Sequence, residues 1–185
     1  MINKNKAKII ARTLGGVFVF ILTLAFSTLT YASEITPENI VGAVNKEREI
    51  NGLSPVMVSP QLQIAARNKS VDMIARNYFE HYAFGKTPWS FIQSEGYDYS
   101  VAGENLAMGF NSAEGVVSAW MNSPSHRANI LNPEFQNIGV GVVKGAYTEN
   151  GQTNQTTMTT EMFATPKSKV NQLIDRVIAT LNKLF

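Results

Sequence analysis

The chain has 185 residues, enough for one domain with a sizeable core and a short appendage. A hydrophobic fraction of 44% with 13 glycines and 7 prolines indicates a globular protein and excludes disordered and fibrous classes. The formal net charge of +2 comes from residues 1–32, which hold four basic and no acidic residues. The remainder is slightly acidic, which excludes a basic surface for binding nucleic acid.

Residues 1–32 have the pattern of an export signal. Basic residues up to Arg12 precede the apolar run 14–26, and small residues favour cleavage after Ala32. This predicts a secreted or cell-envelope protein. The alternative is an uncleaved membrane anchor, because residues 13–32 approach the ~20 needed to span a bilayer. The chain has no cysteine, which excludes a lipidated N-terminus and disulfide bonds.

Three predicted helices in the first half each begin with a capping hydroxyl followed by proline. The first helix ends at Asn51-Gly52, the second near Tyr78 and the third at Gly96. Their starting pairs are Thr36-Pro37, Ser59-Pro60 and Thr87-Pro88.

Residues 97–100 are predicted to form a loop. Residues 101–110 fit either a strand broken by Gly103 or irregular backbone around Glu104. Ser112 then caps a fourth helix, with Trp120 facing inward, and Pro124 ends it.

A hairpin is predicted for the last part of the domain. Residues 138–143 alternate β-branched residues with glycine, and residues 156–164 read as the return strand. Asn150-Gly151 between them is a strong hairpin signal. Gly139 and Gly141 indicate close approach of a neighbouring group.

The tail, residues 169–185, is predicted to be an amphipathic helix, with apolar residues at spacings of three and four. The favoured interpretation is a helix packed on the domain. Self-association and contact with a membrane surface are the alternatives.

The candidate site centres on His81, Glu104 and His126, which include both histidines of the chain. Neutral imidazoles suit a divalent metal such as zinc, and a carboxylate can complete such a site or orient a ligand. Glu104 lies in an apolar context and could act as a general base, or as a structural carboxylate. Spacing alone favours two unrelated surface histidines over a shared pocket.

Four more residues are candidates for the lining of the same cleft. Asn105 suits a structural role in a turn. Ser123 and Ser125 precede His126, but adjacency argues against a nucleophile–base pair and favours helix capping. Arg127 can bind a carboxylate of the protein or of a ligand. The aromatic residues Trp89, Trp120 and Phe163 are predicted to be core.

Together these residues resemble the CAP superfamily, the SCP domain of cysteine-rich secretory proteins, antigen 5 and plant pathogenesis-related proteins. The resemblance covers about residues 40–164 and rests on four segments, and it favours a shared histidine pocket. The segments are Phe79-Glu80-His81, Gly103-Glu104-Asn105-Leu106, the stretch WMNSPSHRANIL at 120–131, and the two strands that carry Asn137–Gly141 and Glu161–Ala164.

The resemblance implies an α+β fold, a three-layer α-β-α sandwich with a largely antiparallel sheet. It also implies a cleft where His81, Glu104 and His126 converge, in some members on a divalent cation. Many animal members carry a second glutamate three residues after the tryptophan. Here that position is Ser123, which weakens metal binding and carboxylate-pair chemistry.

The sequence therefore divides into a signal segment or anchor (1–32), a CAP domain (33–166) and an amphipathic helix (167–185). The favoured function is binding of a lipid, peptide or cell-wall ligand in the cleft, without catalysis. The alternative is a metal-assisted hydrolase in which Glu104 and the two histidines are catalytic. No nucleic-acid partner is expected.

Overall fold

A computed structural model describes residues 32–182, so the predicted export signal lies outside the described residues. Residues 32–182 belong to one compact unit. Every helix, strand and core cluster described below lies within residues 33–182. The described part consists of helices α1 Pro37–Ile50, α2 Pro60–Arg76, α3 Pro88–Ser94, α4 Ala113–Asn122, α5 Pro124–Ile130 and α6 Lys169–Leu181, and of strands β1 Met57–Val58, β2 Tyr99–Met108, β3 Asn137–Glu149 and β4 Gln152–Pro166.

The strands form one mixed sheet in the order β1-β3-β4-β2. Only the short β1 runs parallel to its neighbour β3, and the other pairs are antiparallel. Asn150 and Gly151 link β3 to β4 with positive φ values of 51° and 76°, as the two-residue hairpin signal predicts. Strand β2 lies at an edge of the sheet.

Helices cover both faces of the sheet, which confirms the three-layer α-β-α prediction. On one face, α1 and α4 pack through Ile40, Val44 and Trp120 against Val140 and Phe163. On the other face, α2 and α3 bury the residues Leu62, Ala65, Ala66, Phe91 and Ile92 against Met162 and Ala164. Alternate residues of β2 and β4 therefore face different helical layers.

The capping predictions are confirmed at the first four helices. Side chains of Thr36, Ser59, Thr87 and Ser112 each accept a hydrogen bond from the backbone N–H three residues later. The second helix ends two residues earlier than predicted, because Asn77 adopts the left-handed conformation.

Two predictions for the middle of the chain were wrong. The loop assigned to residues 97–100 is partly strand, and β2 continues unbroken through Gly103. The prediction that Pro124 ends α4 is confirmed, and the same proline also begins α5, because proline is well suited to the first turn of a helix.

Glycines of β3 set the distance between α2 and the sheet. A methyl group added at Gly139 would lie 2.1 Å from the carbonyl carbon of Leu62, and one added at Gly141 would lie 2.4 Å from that of Ala66. The backbone of α2 thus rests directly on β3, as the glycine pattern predicts.

We expect Gly139→Ala to destabilise the domain by roughly 3 kcal/mol or more, because helix backbone must move to admit the methyl group. Gly42→Ala is the matched control, since Gly42 is exposed in the interior of α1 with open space around it. That change should stabilise the helix by about 0.5–1 kcal/mol. Chemical unfolding measures both, and equal effects would contradict the close contact between α2 and β3.

The tail helix α6 does not pack on the domain in the way the favoured interpretation expects. No residue of α6 is buried, and its apolar residues are 49–66% exposed. The prediction of a helix here is confirmed, but the prediction that the domain buries it is wrong.

Candidate functional site

The buried carboxylate of Glu104 pairs with His81. Glu104 lies on β2, and its Oε1 is 2.7 Å from Nδ1 of His81. The glutamate side chain is 2% exposed and the histidine side chain 45% exposed. An ionised Glu104 accepts this bond from the Nδ1–H, so that Nε2 of the imidazole remains available on the solvent side.

A buried lysine anchors the backbone that carries His81. Lys69 of α2 is fully buried, and its ammonium donates to the carbonyls of Glu80 at 2.8 Å and His81 at 3.0 Å. The ammonium also lies 4.8 Å from the centre of the Tyr78 ring. Lys69 therefore ties the loop after α2 to the helix and brings His81 to Glu104.

The environment of Glu104 raises its pKa. Burial is the main cause, while the hydrogen bond from His81 and the positive charge of Lys69 act in the opposite direction. Its second oxygen, Oε2, is buried and has no hydrogen-bond partner among the described residues. An unsatisfied buried carboxylate oxygen is costly, so either a proton or a bound group has to compensate it.

Side chains from α4 and α5 cover the open edge of β2. The Asn129 amide donates to the carbonyl of Glu104 at 3.1 Å, and the Trp120 indole donates to the carbonyl of Leu106 at 3.0 Å. These two carbonyls point away from β4, so without the side chains they would have no partner in the sheet. The edge that carries Glu104 is thereby held in place.

A second buried carboxyl lies on the opposite face of the sheet. Glu161 of β4 is fully buried, and its Oε2 accepts a hydrogen bond of 2.8 Å from the amide of Asn105. Asn105 also donates to the carbonyl of His126 at 3.2 Å and accepts from Asn129 at 2.8 Å. This network joins β2, β4 and α5, so Asn105 is structural as predicted, but it lies in a strand instead of a turn and does not line the pocket beside Glu104.

Burial raises the pKa of Glu161 to about 8, although the hydrogen bond from Asn105 and the charge of Arg48 lower it. Its Oε1 has no partner among the described residues, so the ionised form is poorly stabilised. Glu161 is therefore a neutral, structural carboxyl at neutral pH.

His126 pairs with Ser123, contrary to the capping prediction. Nδ1 of His126 lies 2.9 Å from Oγ of Ser123, and the serine side chain makes no capping hydrogen bond to α5. Burial and the nearby charge of His81 lower the pKa of His126. The two histidines are thus close enough to influence each other, and His126 is neutral at neutral pH.

Two residues predicted to line the cleft lie outside this cluster. Ser125 is exposed and reaches only the Oγ of Ser123, at 3.5 Å. Arg127 is exposed and points toward the end of α1, where it donates to Asn51 at 3.5 Å. Neither contacts His81 or Glu104.

An open pocket of about 310 Å³ lies beside the His81–Glu104 pair. Its wall includes the rings of Tyr82, Pro88 and Trp89, and Asn129 contributes a polar group. Trp89 was predicted to be core, but it is only half-buried and lines this pocket. Trp120 and Phe163 are buried as predicted.

The donor set fits a divalent cation only in part. Nε2 of His81 and of His126 makes no hydrogen bond within residues 32–182, and the Nδ1 atoms are oriented by Glu104 and Ser123. A carboxylate behind a ligating histidine is a usual arrangement in metal sites. No group of three or more His, Asp or Glu side chains in the described chain is placed to hold a metal. The described residues therefore supply a carboxylate-backed imidazole and a second imidazole, but no complete set of metal ligands.

Sequence reasoning missed three residues of the site: Lys69, Asn129 and Glu161. The sequence carried a signal that Lys69 is buried, because Lys69 lies at helical spacing from Leu62 and Met73 on the apolar face of α2. Asn129 and Glu161 lie within the segments that carry the family resemblance, but nothing in their local pattern separates them from solvated residues.

Residues 41–162 match the model of the cysteine-rich secretory protein (CAP) family, and the chain belongs to this family. It is 46% identical to the Bacillus subtilis protein YkwD over 109 residues, which are 58% of this chain and 42% of that protein. It is 32% identical to the B. subtilis membrane protein YlbC over 114 residues, which are 61% of this chain and 33% of that protein. The chain thus spans less than half of these relatives.

Solved structures agree with the fold. An extracellular protein with an SCP domain from Bacillus anthracis superposes with a TM-score of 0.60 at 26% identity, over 69% of this chain and 39% of that one. An outer surface protein from Borrelia burgdorferi also superposes with a TM-score of 0.60, at 23% identity, over 74% of this chain and 100% of that one.

Glu161→Gln tests the buried carboxyl through the pH dependence of stability. The pKa of Glu161 in the folded state, about 8, lies above its ordinary value of 4.5, so folding retains a proton that the unfolded chain releases. Its contribution to stability is full below about pH 4.5 and is lost as the pH rises toward 8. Glutamine has no titratable group in this pH range. We therefore expect the melting temperature of Glu161→Gln to fall several degrees less than that of the wild type between about pH 5 and 8.

The exposed residue Glu149 supplies the control for this comparison. A Glu149→Gln variant should follow the wild-type curve. If Glu161→Gln follows it as well, Glu161 is not a neutral carboxyl in the folded protein.

Proposed function

We propose that this CAP domain is exported and binds a ligand in the pocket beside His81 and Glu104. One observation carries the proposal: Glu104 lines an open pocket, and its buried Oε2 has no partner within the described chain. A ligand donor or a cation at this oxygen would recover the free energy lost by burying it.

The pocket lining favours a cell-wall glycan over the other ligand classes that the sequence left open. A sugar ring has an apolar face and hydroxyl groups around its rim. Trp89 and Tyr82 offer aromatic surface for the face, and His81, Glu104 and Asn129 offer hydrogen-bonding groups for the hydroxyls. A pocket of about 310 Å³ suits one or two rings better than a lipid chain.

A divalent cation is an accessory in this proposal. His81 and His126 would hold it through their Nε2 atoms, and Glu104 and Ser123 would keep both rings oriented. Bound there, the cation would add a Lewis-acidic contact for a ligand oxygen.

Export is supported by the signal pattern of residues 1–32 and by relatives. The B. anthracis protein at 26% identity is described as extracellular. An extracellular or cell-envelope location would bring the pocket to wall fragments.

We expect Tyr82→Ala to weaken binding of a soluble wall disaccharide at least fivefold, because it removes about 1 kcal/mol of aromatic contact. Phe84→Ala is the matched control: Tyr82 and Phe84 are 60% and 62% exposed on the same loop, but only Tyr82 lines the pocket. Calorimetry on residues 33–185, with and without zinc, measures the affinity. Equal losses in both variants, or no binding by the wild type, would contradict a glycan site here.

The alternative function is hydrolysis, and one feature favours it. Burial raises the pKa of Glu104 toward the range in which a carboxylate serves best as a general base. Glu104 would activate water as a general base, with His81 fixing the orientation of its carboxylate. A cation, when bound, would polarise the scissile group.

Glu104→Gln separates the two functions. The amide oxygen of the variant can still accept from His81, so the fold should be kept, whereas the amide nitrogen replaces Oε2 and should weaken ligand binding about fivefold, or ~1 kcal/mol for one hydrogen bond. A hydrolase would lose turnover at least 100-fold, as expected for removal of a general base. We expect no turnover of wall glycan by either protein, and measurable wild-type turnover lost in Glu104→Gln would establish the hydrolase instead.

A further inference from the structure

Helix α6 presents an apolar stripe to solvent on a folded domain. Its members are 49–66% exposed, which is unusual for so many neighbouring aliphatic side chains. They are Val170, Leu173, Ile174, Val177, Ile178 and Leu181.

The stripe is part of a well-formed helix that follows directly after the sheet. Ser168 caps α6 by accepting from the N–H of Asn171, and Lys167 pairs with Asp175 at 2.7 Å. The backbone N–H of Lys167 donates to the carbonyl of Asp98, which ties the start of the helix to the domain.

The polar side of α6 has basic residues along one border of the stripe. Lys169 and Arg176 are seven residues apart and therefore nearly in line along the helix. Asp175, on the other border, is engaged by Lys167. The border beside Leu173 is therefore positive and has no acidic neighbour on the helix.

These features do not suit pairing with a second copy of the helix. The described helix has 13 residues, fewer than two heptads, whereas a coiled coil needs three or more. The stripe from Leu173 to Ile178 spans roughly 140° around the axis, wider than the seam of a coiled coil. The described helix of a second copy would offer Lys169 and Arg176 only Asp175, which Lys167 already engages.

We propose that α6 lies on an anionic lipid surface, with its apolar stripe in the interface and Lys169 and Arg176 at the headgroups. A broad apolar face bordered by basic residues is the pattern of interfacial helices. Long basic side chains can keep their charge at the headgroups while their stems cover apolar surface. Among the described residues, no helix is long and apolar enough to cross a membrane, so α6 would lie on the surface.

Flotation of residues 33–185 with lipid vesicles tests the proposal. This fragment contains the whole described core and omits the apolar run 14–26, which could bind lipid by itself. We expect binding to vesicles of phosphatidylcholine with phosphatidylglycerol, and at least tenfold weaker binding to phosphatidylcholine alone. Each basic residue near an anionic surface contributes enough for such a difference.

Two variants address the stripe and the basic border separately. Leu173→Gln/Val177→Gln and Lys169→Glu/Arg176→Glu should each reduce binding to the anionic vesicles at least tenfold. Ile64→Gln/Val71→Gln is the matched control, because Ile64 and Val71 are 48% and 38% exposed on α2. It should bind as the wild type does.

Three outcomes would overturn the proposal. The first is no binding to anionic vesicles, and the second is equal binding to neutral ones. The third is a dimer in analytical ultracentrifugation without lipid that Leu173→Gln/Val177→Gln dissociates, which would assign the stripe to a second copy. None of these results depends on whether the His81–Glu104 pocket binds a ligand.

Discussion

The burial of the Glu104 carboxylate on an edge strand is the constraint on which the site depends. An edge strand ordinarily exposes its outer carbonyls to water, but here Asn129 and Trp120 occupy those of Glu104 and Leu106. The strand is thus fixed from outside the sheet, and its glutamate points into a layer closed by α2. Lys69 in that layer supplies a positive charge and holds the His81 loop. A carboxylate in this position would be too costly without both partners.

Glu104 and Glu161 show how neighbouring strands can give two buried carboxyls different roles. Glu104 has a histidine at 2.7 Å and a nearby ammonium group, and it lines an open pocket. Glu161 has one amide donor and a more distant guanidinium, and its pKa is raised to about 8. The first can meet a ligand as a carboxylate. The second holds the amide of Asn105 and, through it, the backbone of His126.

Local sequence patterns predicted most of the elements because they depend on near neighbours. Capping hydroxyls before proline marked the helix starts, and Asn150-Gly151 marked the hairpin. The site needed the family resemblance, because β2 and the loop after α2 bring His81 to Glu104, and α5 places His126 where the charge of His81 acts on it, which no spacing reveals. Glu161 was missed because a buried carboxyl looks the same in sequence as a solvated one, and Lys69 was missed although its position among the apolar residues of α2 was a signal. The unpacked α6 was missed because amphipathicity states which face is apolar and leaves open what covers it.

Ser123 determines whether the His126 side chain is a neutral imidazole or a charged imidazolium. The resemblance places a glutamate at this position in many animal members, and a carboxylate at 2.9 Å would favour the imidazolium form. Serine is uncharged, so burial and the charge of His81 lower the pKa of His126 unopposed. The ring therefore stays neutral at neutral pH, with Nδ1 held by Ser123 and Nε2 available. His81 thus has an ionic partner in Glu104, whereas His126 has an uncharged partner in Ser123. This serine departs from the animal pattern and keeps the His126 ring in the neutral form, which is the form that can accept a proton or bind a cation.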